Sequence, residues 1–247
     1  MVLAGGLGSR LLPLTKVTNK HLLPVYDRPM IYHPIETLVQ AGIEEILLVT
    51  GGSSAGDFLR LLGNGRAFGL KRMHYAYQEG EGGIAEALAL AESFAEGSPI
   101  CVILGDNILE CGIGEAVAAF REDPRGAMLL LKEVEDPERF GVARFLGERL
   151  VEIVEKPEVA PSRMAVTGVY LYDGAVFGIL PGLERSARGE LEITDVNNDY
   201  LRRGALRWRR LEGWWTDAGT FPSLLRANRL VAEQRERQER GEGGGGA

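Results

Sequence analysis

Short apolar runs alternate with segments of helical spacing through the first half of the chain: MVLA, MIYHPIETLVQAG, EEILLVTGG, AGDFLRLLGNG, RMHYAYQ, IAEALALAESFAEG and PICVILGD. The apolar runs are too short for helices and read as strands buried on both faces, while each amphipathic segment between two of them must cross over a sheet. This alternation predicts an α/β fold, Rossmann-like, with a mixed and mostly parallel sheet flanked by helices. IAEALALAESFAEG is expected as one helix that stops at Gly97. MVLAG leaves room for only a very short first strand, so the natural start is expected a residue or two upstream of Met1.

After GEAVAAFREDPRG the texture becomes strand-like, in AMLLLKEV, GVARFLGERLVEIVEKP and MAVTGVYLYD, with LGER as a hairpin turn. The second half is therefore β-richer. Two further helical segments, ITDVNNDYLRRG and SLLRANRLVAEQRERQER, flank a strand at LRWRRLEG. The last helix is expected to dock through Leu224, Leu225 and Leu230, with its charged end and the GEGGGGA tail fraying into solvent. Across 247 residues, 45% of them apolar, neither a repeat nor a linker divides the chain, which predicts one domain.

A net charge of −7 excludes a broad nucleic-acid surface, which needs a concentrated basic face, but leaves room for small anionic substrates wherever cations converge. No apolar run approaches the roughly 20 residues of a membrane span, and no basic leader precedes one. A cytoplasmic protein is expected, in keeping with two cysteines, Cys101 and Cys111, that build no disulfide framework. His21, His33 and His74 lack metal-ligand spacing, so no zinc site is expected.

Five motifs carry chemistry. In LAGGLGSRLLPLT, Gly6 and Gly8 are followed by Leu11 where a dinucleotide fingerprint needs glycine, and no lysine completes a P-loop. What remains is a glycine-rich turn after a strand, with Arg10 and Lys20 on the same long loop. These residues alone fit an anion-binding nest and an ordinary turn equally well. Asp106, at the end of the apolar PICVILGDN, can offer oxygen to a hard cation or cap a helix. In VEIVEKP, strand alternation predicts Glu155 and Lys156 on opposite faces. Arg188 in SARGELEITD can reach an anion with its planar fork, while Thr194 and Asp195 fit cap chemistry. Asp217 in GWWTDAGT sits in so apolar a setting that it must be paired, hydrogen-bonded or bound to metal.

Taken in order, LAGGLGSRLLPLT, NKHLLPVYDRPMIYHPIETL, LGDN, EKP, ARGELEITD and WTDAGT resemble the sugar-1-phosphate nucleotidylyltransferases, and most closely the glucose-1-phosphate thymidylyltransferase family. The resemblance covers residue 1 to about residue 230. It implies a single domain over residues 1–238: a nucleotide-binding portion at 1–125, a sugar-phosphate-binding portion at 126–220 and a C-terminal helix at 221–238, followed by a flexible tail at 239–247. It further implies Mg²⁺-dependent joining of dTTP, or alternatively UTP, to glucose 1-phosphate, with release of pyrophosphate.

Carried over, Leu3, Ala4, Gly5, Gly6, Gly8, Ser9 and Arg10 would hold the triphosphate, with Lys20 completing the grip. Gln78, Gly83 and Ile84 would meet the base. Asp106 and Asp217 would share one Mg²⁺. Asn107, Gly141, Glu155, Lys156, Val166 and Arg188 would face the sugar phosphate, and Arg10, Lys20, Asp106 and Lys156 would act in catalysis. Phe140 stands where many relatives carry tyrosine, so a hydroxyl near the sugar is missing, and the acidic, glycine-rich stretch Glu79 to Gly82 departs from the pattern beside the base. The chain stops short of the C-terminal extension of the longer members, so their regulatory site is not expected, and homo-oligomerisation is left open. A non-catalytic nucleotide-sugar sensor and a metal-dependent glycosyltransferase are the competing functions.

Overall fold

A computed structural model of the chain describes residues 1–241. The strands are β1 (Val2–Ala4), β2 (Pro24–Val25), β3 (Arg28–Pro29), β4 (Glu45–Gly51), β5 (Arg72–Gln78), β6 (Ile100–Leu104), β7 (Asn107–Leu109), β8 (Ala127–Glu133), β9 (Gly141–Leu146), β10 (Arg149–Glu155), β11 (Met164–Tyr172), β12 (Leu206–Arg210) and β13 (Trp215–Asp217). The helices are α1 (Tyr32–Gln40), α2 (Ala55–Leu62), α3 (Ile84–Ala89), α4 (Glu92–Ala95), α5 (Gly114–Glu122), α6 (Val176–Ile179), α7 (Ile193–Arg202) and α8 (Phe221–Glu239).

Nine strands form one mixed sheet in the order β10-β9-β11-β6-β1-β4-β5, with β8 pairing β11 and β12 pairing β8. The ladders β6-β1-β4-β5 are parallel, whereas β11 runs antiparallel to β6, β8 and β9. Strand alternation builds two core layers. Leu3, Leu47 and Val49 enter one face with α3 and α7, while Val2, Ala4, Ile46 and Leu48 enter the other with α1, α2 and α5. The parallel half thus has both faces covered, which is why its strands read as unbroken apolar runs. Ligands of such sheets sit beyond the carboxyl ends of the strands, and here those ends deliver Gly5, Gln78 and Asp106 to one edge.

The LGER turn is present between β9 and β10, with Gly147 at φ 62°. Two expectations are corrected. The segment after Gly83 is not one helix but α3 and α4, because Leu90 and Ala91 donate to Ala87 and Leu88, three residues back, and the tightened turn keeps Leu88, Ala91 and Ala95 on the core side. Helix α8 docks not through Leu225, which is 54% exposed, but through the small residues Ser223, Ala227 and Val231, with Leu224 half-buried beside them. Small side chains at four-residue spacing let the helix lie close on Val25 and Ala218. Thr220 and Ser223 form a capping box at its start. The tail expected from residue 239 begins inside α8 at Glu239, and residues 242–247 lie outside the described residues. Among the described residues, no helix is long and apolar enough to cross a membrane.

Candidate active site

A cleft of about 670 Å³ opens along the carboxyl edge of the parallel strands, a size suited to a small-molecule ligand. It is lined by every residue that the family resemblance assigns to the site except Ala4, which is wholly buried in β1 and accepts a hydrogen bond from Asn19 Nδ2 at 3.3 Å through its carbonyl.

At one end of the cleft the chain leaves β1 into the glycine loop. Gly8 has φ 70°, and a Cβ there would lie 2.9 Å from both Lys20 Cβ and Thr15 Cγ2, so conformation and space both require glycine. The Leu7 N–H donates to Glu81 Oε1 at 3.2 Å. A carboxylate thus meets one backbone donor of the loop. Arg10, at the loop's end, is exposed and has no ion-pair partner among the described residues.

Lys20 is fixed by a short turn that begins at Asn19. The Asn19 side chain accepts from the His21 N–H at 2.9 Å and meets His21 Nδ1 at 2.7 Å. Burial and the neighbouring Lys20 charge push the His21 imidazole down to about 3, so it is neutral near pH 7. From this turn Lys20 Nζ reaches Asp106 Oδ2 at 2.6 Å. Burial alone would raise the Asp106 pKa, but Lys20 and the Asn107 amide hold it below the ordinary carboxylate range.

Pairing of β7 with β13 sets Asn107 opposite Asp217, and the Ala218 N–H donates to the Asp106 carbonyl at 2.9 Å. The two acids are thereby brought together. A Cβ on Gly219 would lie 3.2 Å from Asp106 Oδ2, 3.2 Å from Asp217 Oδ2 and 3.1 Å from Arg10 Nη2. Asn107 turns its amide inward: Nδ2 donates to Asp106, and Oδ1 accepts from the Gly168 N–H at 3.0 Å and Trp215 Nε1 at 2.7 Å.

At the other end of the cleft the ladder pairs Gly141 with Glu155. A Cβ on Gly141 would meet Thr194 Oγ1 at 3.3 Å and Glu155 Oε2 at 3.4 Å, so this glycine keeps the wall flat. Lys156 corrects the expectation of opposite faces. Strand β10 ends at Glu155 and Lys156 takes φ 40°, which turns its side chain back into the cleft, with Nζ 3.6 Å from Glu155 Oε1. Arg188 is held by Glu192 at 2.7 Å, Glu155 at 3.2 Å and Glu190 at 3.8 Å. Val166, buried on β11, supplies an apolar patch between the two ends.

Sequence reading missed Arg139. Its Nη2 spans the Asp217 carboxylate at 2.9 and 3.0 Å while Nη1 binds Asp136 at 2.7 Å. Its position two residues before Gly141 was the available signal. Thr194, expected as cap chemistry, instead donates to Glu155 Oε2 across the cleft, and Glu192, which begins α7, holds Arg188.

The cleft therefore offers the glycine loop with Arg10 and Lys20 beside the acid pair, and Lys156 with Arg188 beside Glu155, cations enough for two phosphate-bearing molecules. Comparison with known proteins agrees. Residues 1–234 match the family model described as Nucleotidyl transferase. The chain is 45% identical over 230 residues to a glucose-1-phosphate thymidylyltransferase of Actinoplanes sp., covering 92% of this chain and 76% of that one. It is 43% identical over 243 residues to the Xanthomonas campestris pv. campestris protein of the same name, covering 96% and 82%. A Bacillus anthracis chain crystallised with a sucrose and described as a glucose-1-phosphate thymidylyltransferase superposes with a TM-score of 0.89 at 52% identity, covering 93% of each. A UDP-glucose pyrophosphorylase bound to UDP-glucose, 24% identical, shares the fold with a TM-score of 0.81 over 94% of this chain and 97% of its own. On sequence and on structure, this chain belongs to the glucose-1-phosphate thymidylyltransferase family of nucleotidyl transferases.

Proposed function

We propose that the chain joins dTTP and glucose 1-phosphate to give dTDP-glucose and pyrophosphate. One observation carries the mechanism: two separate sets of cations, Arg10 with Lys20 and Lys156 with Arg188, line a single cleft with the Asp106 and Asp217 carboxylates. The relatives named above support the choice of substrates.

An oxygen of the sugar phosphate attacks the α-phosphate of the nucleotide, and the bond from that phosphorus to the bridging oxygen of the β-phosphate breaks. The attacking oxygen is already anionic near neutral pH, so no strong base is needed. The barrier is repulsion between two anions, and positioning with positive charge lowers it. Arg10 and Lys20, beside the glycine loop, receive the β- and γ-phosphates and neutralise the departing pyrophosphate. Lys156 and Arg188 hold the sugar phosphate in line with the α-phosphate. Glu155 and Gly141 face the hexose, and Gln78 faces the base.

The acid pair fits Mg²⁺. Asp106 Oδ2 and Asp217 Oδ2 flank Gly219, each 3.2 Å from where its Cβ would stand, with Arg10 Nη2 3.1 Å from the same point, and no group of three His, Cys, Asp or Glu side chains suited to a metal gathers among the described residues. Mg²⁺ characteristically takes one or two carboxylates and completes its shell with substrate phosphates and water. When bound there it supplies positive charge and orientation to the phosphates. Asp106 and Asp217 would hold it in place of their contacts with Lys20 and Arg139, and Lys20 would then be free to reach the triphosphate.

The experiment is a pyrophosphate-release assay over a matrix of nucleoside triphosphates and sugar 1-phosphates. The highest kcat/KM is expected for dTTP with glucose 1-phosphate. A larger value with UTP reassigns the nucleotide, and absence of pyrophosphate from every pair overturns the reading.

A further inference from the structure

Gln78 ends β5 and is 8% exposed, and both hydrogens of its amide are spent inside the protein. Nε2 donates to the Gly83 carbonyl at 3.2 Å and to Glu86 Oε1 at 3.3 Å. Neither acceptor has a hydrogen to give back: one is a carbonyl, the other a carboxylate bound by Arg185 Nη2 at 2.6 Å. That contact holds the Glu86 pKa below its ordinary value. The orientation of Gln78 is therefore determined by its partners, and Oε1 is left to the cleft, 2.8 Å from where a Cβ on Gly5 would stand. Gly82, by lacking a side chain, leaves the room that the Glu86 carboxylate fills. Through Nη1, Arg185 also donates to the Gly189 carbonyl at 2.7 Å, in the loop that carries Arg188.

We propose that the Glu86–Arg185 ion pair is a positioning strut for base selection, holding Gln78 so that only an acceptor faces the base. The strut favours a pyrimidine whose ring nitrogen carries a hydrogen, the imide of thymine or uracil, over cytosine, whose ring nitrogen at that edge only accepts. Guanine also donates there, so the device discriminates among pyrimidines and not between pyrimidines and purines. The proposal rests on the nucleotide assignment above and adds to it two residues, Glu86 and Arg185, neither of which touches substrate.

Glu86→Gln separates this role from packing. The new carboxamide keeps its oxygen on Arg185 and turns its NH₂ toward Gln78, which must rotate to accept, so the oxygen leaves the cleft. Adding Arg185→Leu removes that constraint and lets the oxygen of residue 86 face Gln78 again. The measurement is kcat/KM for dTTP and for dCTP with glucose 1-phosphate, followed by pyrophosphate release, for the unaltered protein and both variants. The dTTP-to-dCTP ratio is expected to fall about tenfold in E86Q, mainly through KM for dTTP, and to recover to within about threefold in E86Q/R185L. An unchanged ratio in E86Q with dTTP turnover intact overturns the strut. An equal loss in both variants overturns it as well, since that is the mark of a packing role. Absence of pyrophosphate from the unaltered protein with both triphosphates overturns the nucleotide assignment along with it.

Discussion

The two ends of the cleft present their donors by different means. At the glycine loop the Leu7 N–H is a backbone donor just beyond a parallel strand, with an exposed Arg10 nearby, and the carboxylate it meets is that of Glu81. At the sugar end the donors are side chains, and they are crowded: Arg188 touches three glutamates and Lys156 a fourth contact on Glu155. One end is shaped by the backbone, with Glu81 on the Leu7 N–H and Asp106 on Lys20. The other is kept in shape by its own acids, which an incoming phosphate must displace. A nucleoside triphosphate brings charge enough to be drawn to a sparse site, whereas a sugar monophosphate needs a site already assembled around it.

The largest effect is expected where the two ends meet. Asp106→Asn and Lys156→Ala should each lower kcat/KM by roughly 10² or more, the scale of one lost transition-state contact, with circular dichroism unchanged. Near-normal turnover in either would remove that residue from the centre. A middle-sized effect tests the division itself. Arg10→Ala should raise KM for dTTP about tenfold or more and leave KM for glucose 1-phosphate within about threefold, while Arg188→Ala should do the reverse. If both variants move the same KM, the ends are not separate. The smallest effect sharpens the contrast: Glu81→Gln, which frees the Leu7 N–H of a charged competitor, should lower KM for dTTP about twofold and leave the sugar untouched, as expected of an exposed contact.

What was legible in the sequence follows the same division. Strand-to-turn chemistry is local, so Gly5, Gly8 and Asp106 could be placed at strand ends from alternation and glycine spacing alone. Lys156 could not, because the strand rule assumes extended backbone and Lys156 leaves it at φ 40°. Arg139 and the Glu86–Arg185 pair were hidden for another reason. Arg139 lies in a short turn and Arg185 in a loop, and they find partners 78 and 99 residues away, a distance at which neither periodicity nor local propensity carries information. The resemblance to a family, not the residues singly, selected among the meanings of each motif. It said nothing of Leu225, whose exposure follows from how closely the small residues of α8 let that helix approach the sheet.

The short β7–β13 ribbon has a consequence for how the molecule comes into being. It joins residues 108 apart, Asn107 and Trp215, and only through it do Asp106 and Asp217 meet. On the ribosome the glycine loop, Lys20 and Asp106 emerge early, but the acid pair is incomplete until the penultimate segment has left the exit tunnel. Closing so long a loop is also slow for a free chain in refolding. Assembly of the acid pair is thus a late event in the life of each copy, since Asp106 has no Asp217 beside it until β13 has paired with β7.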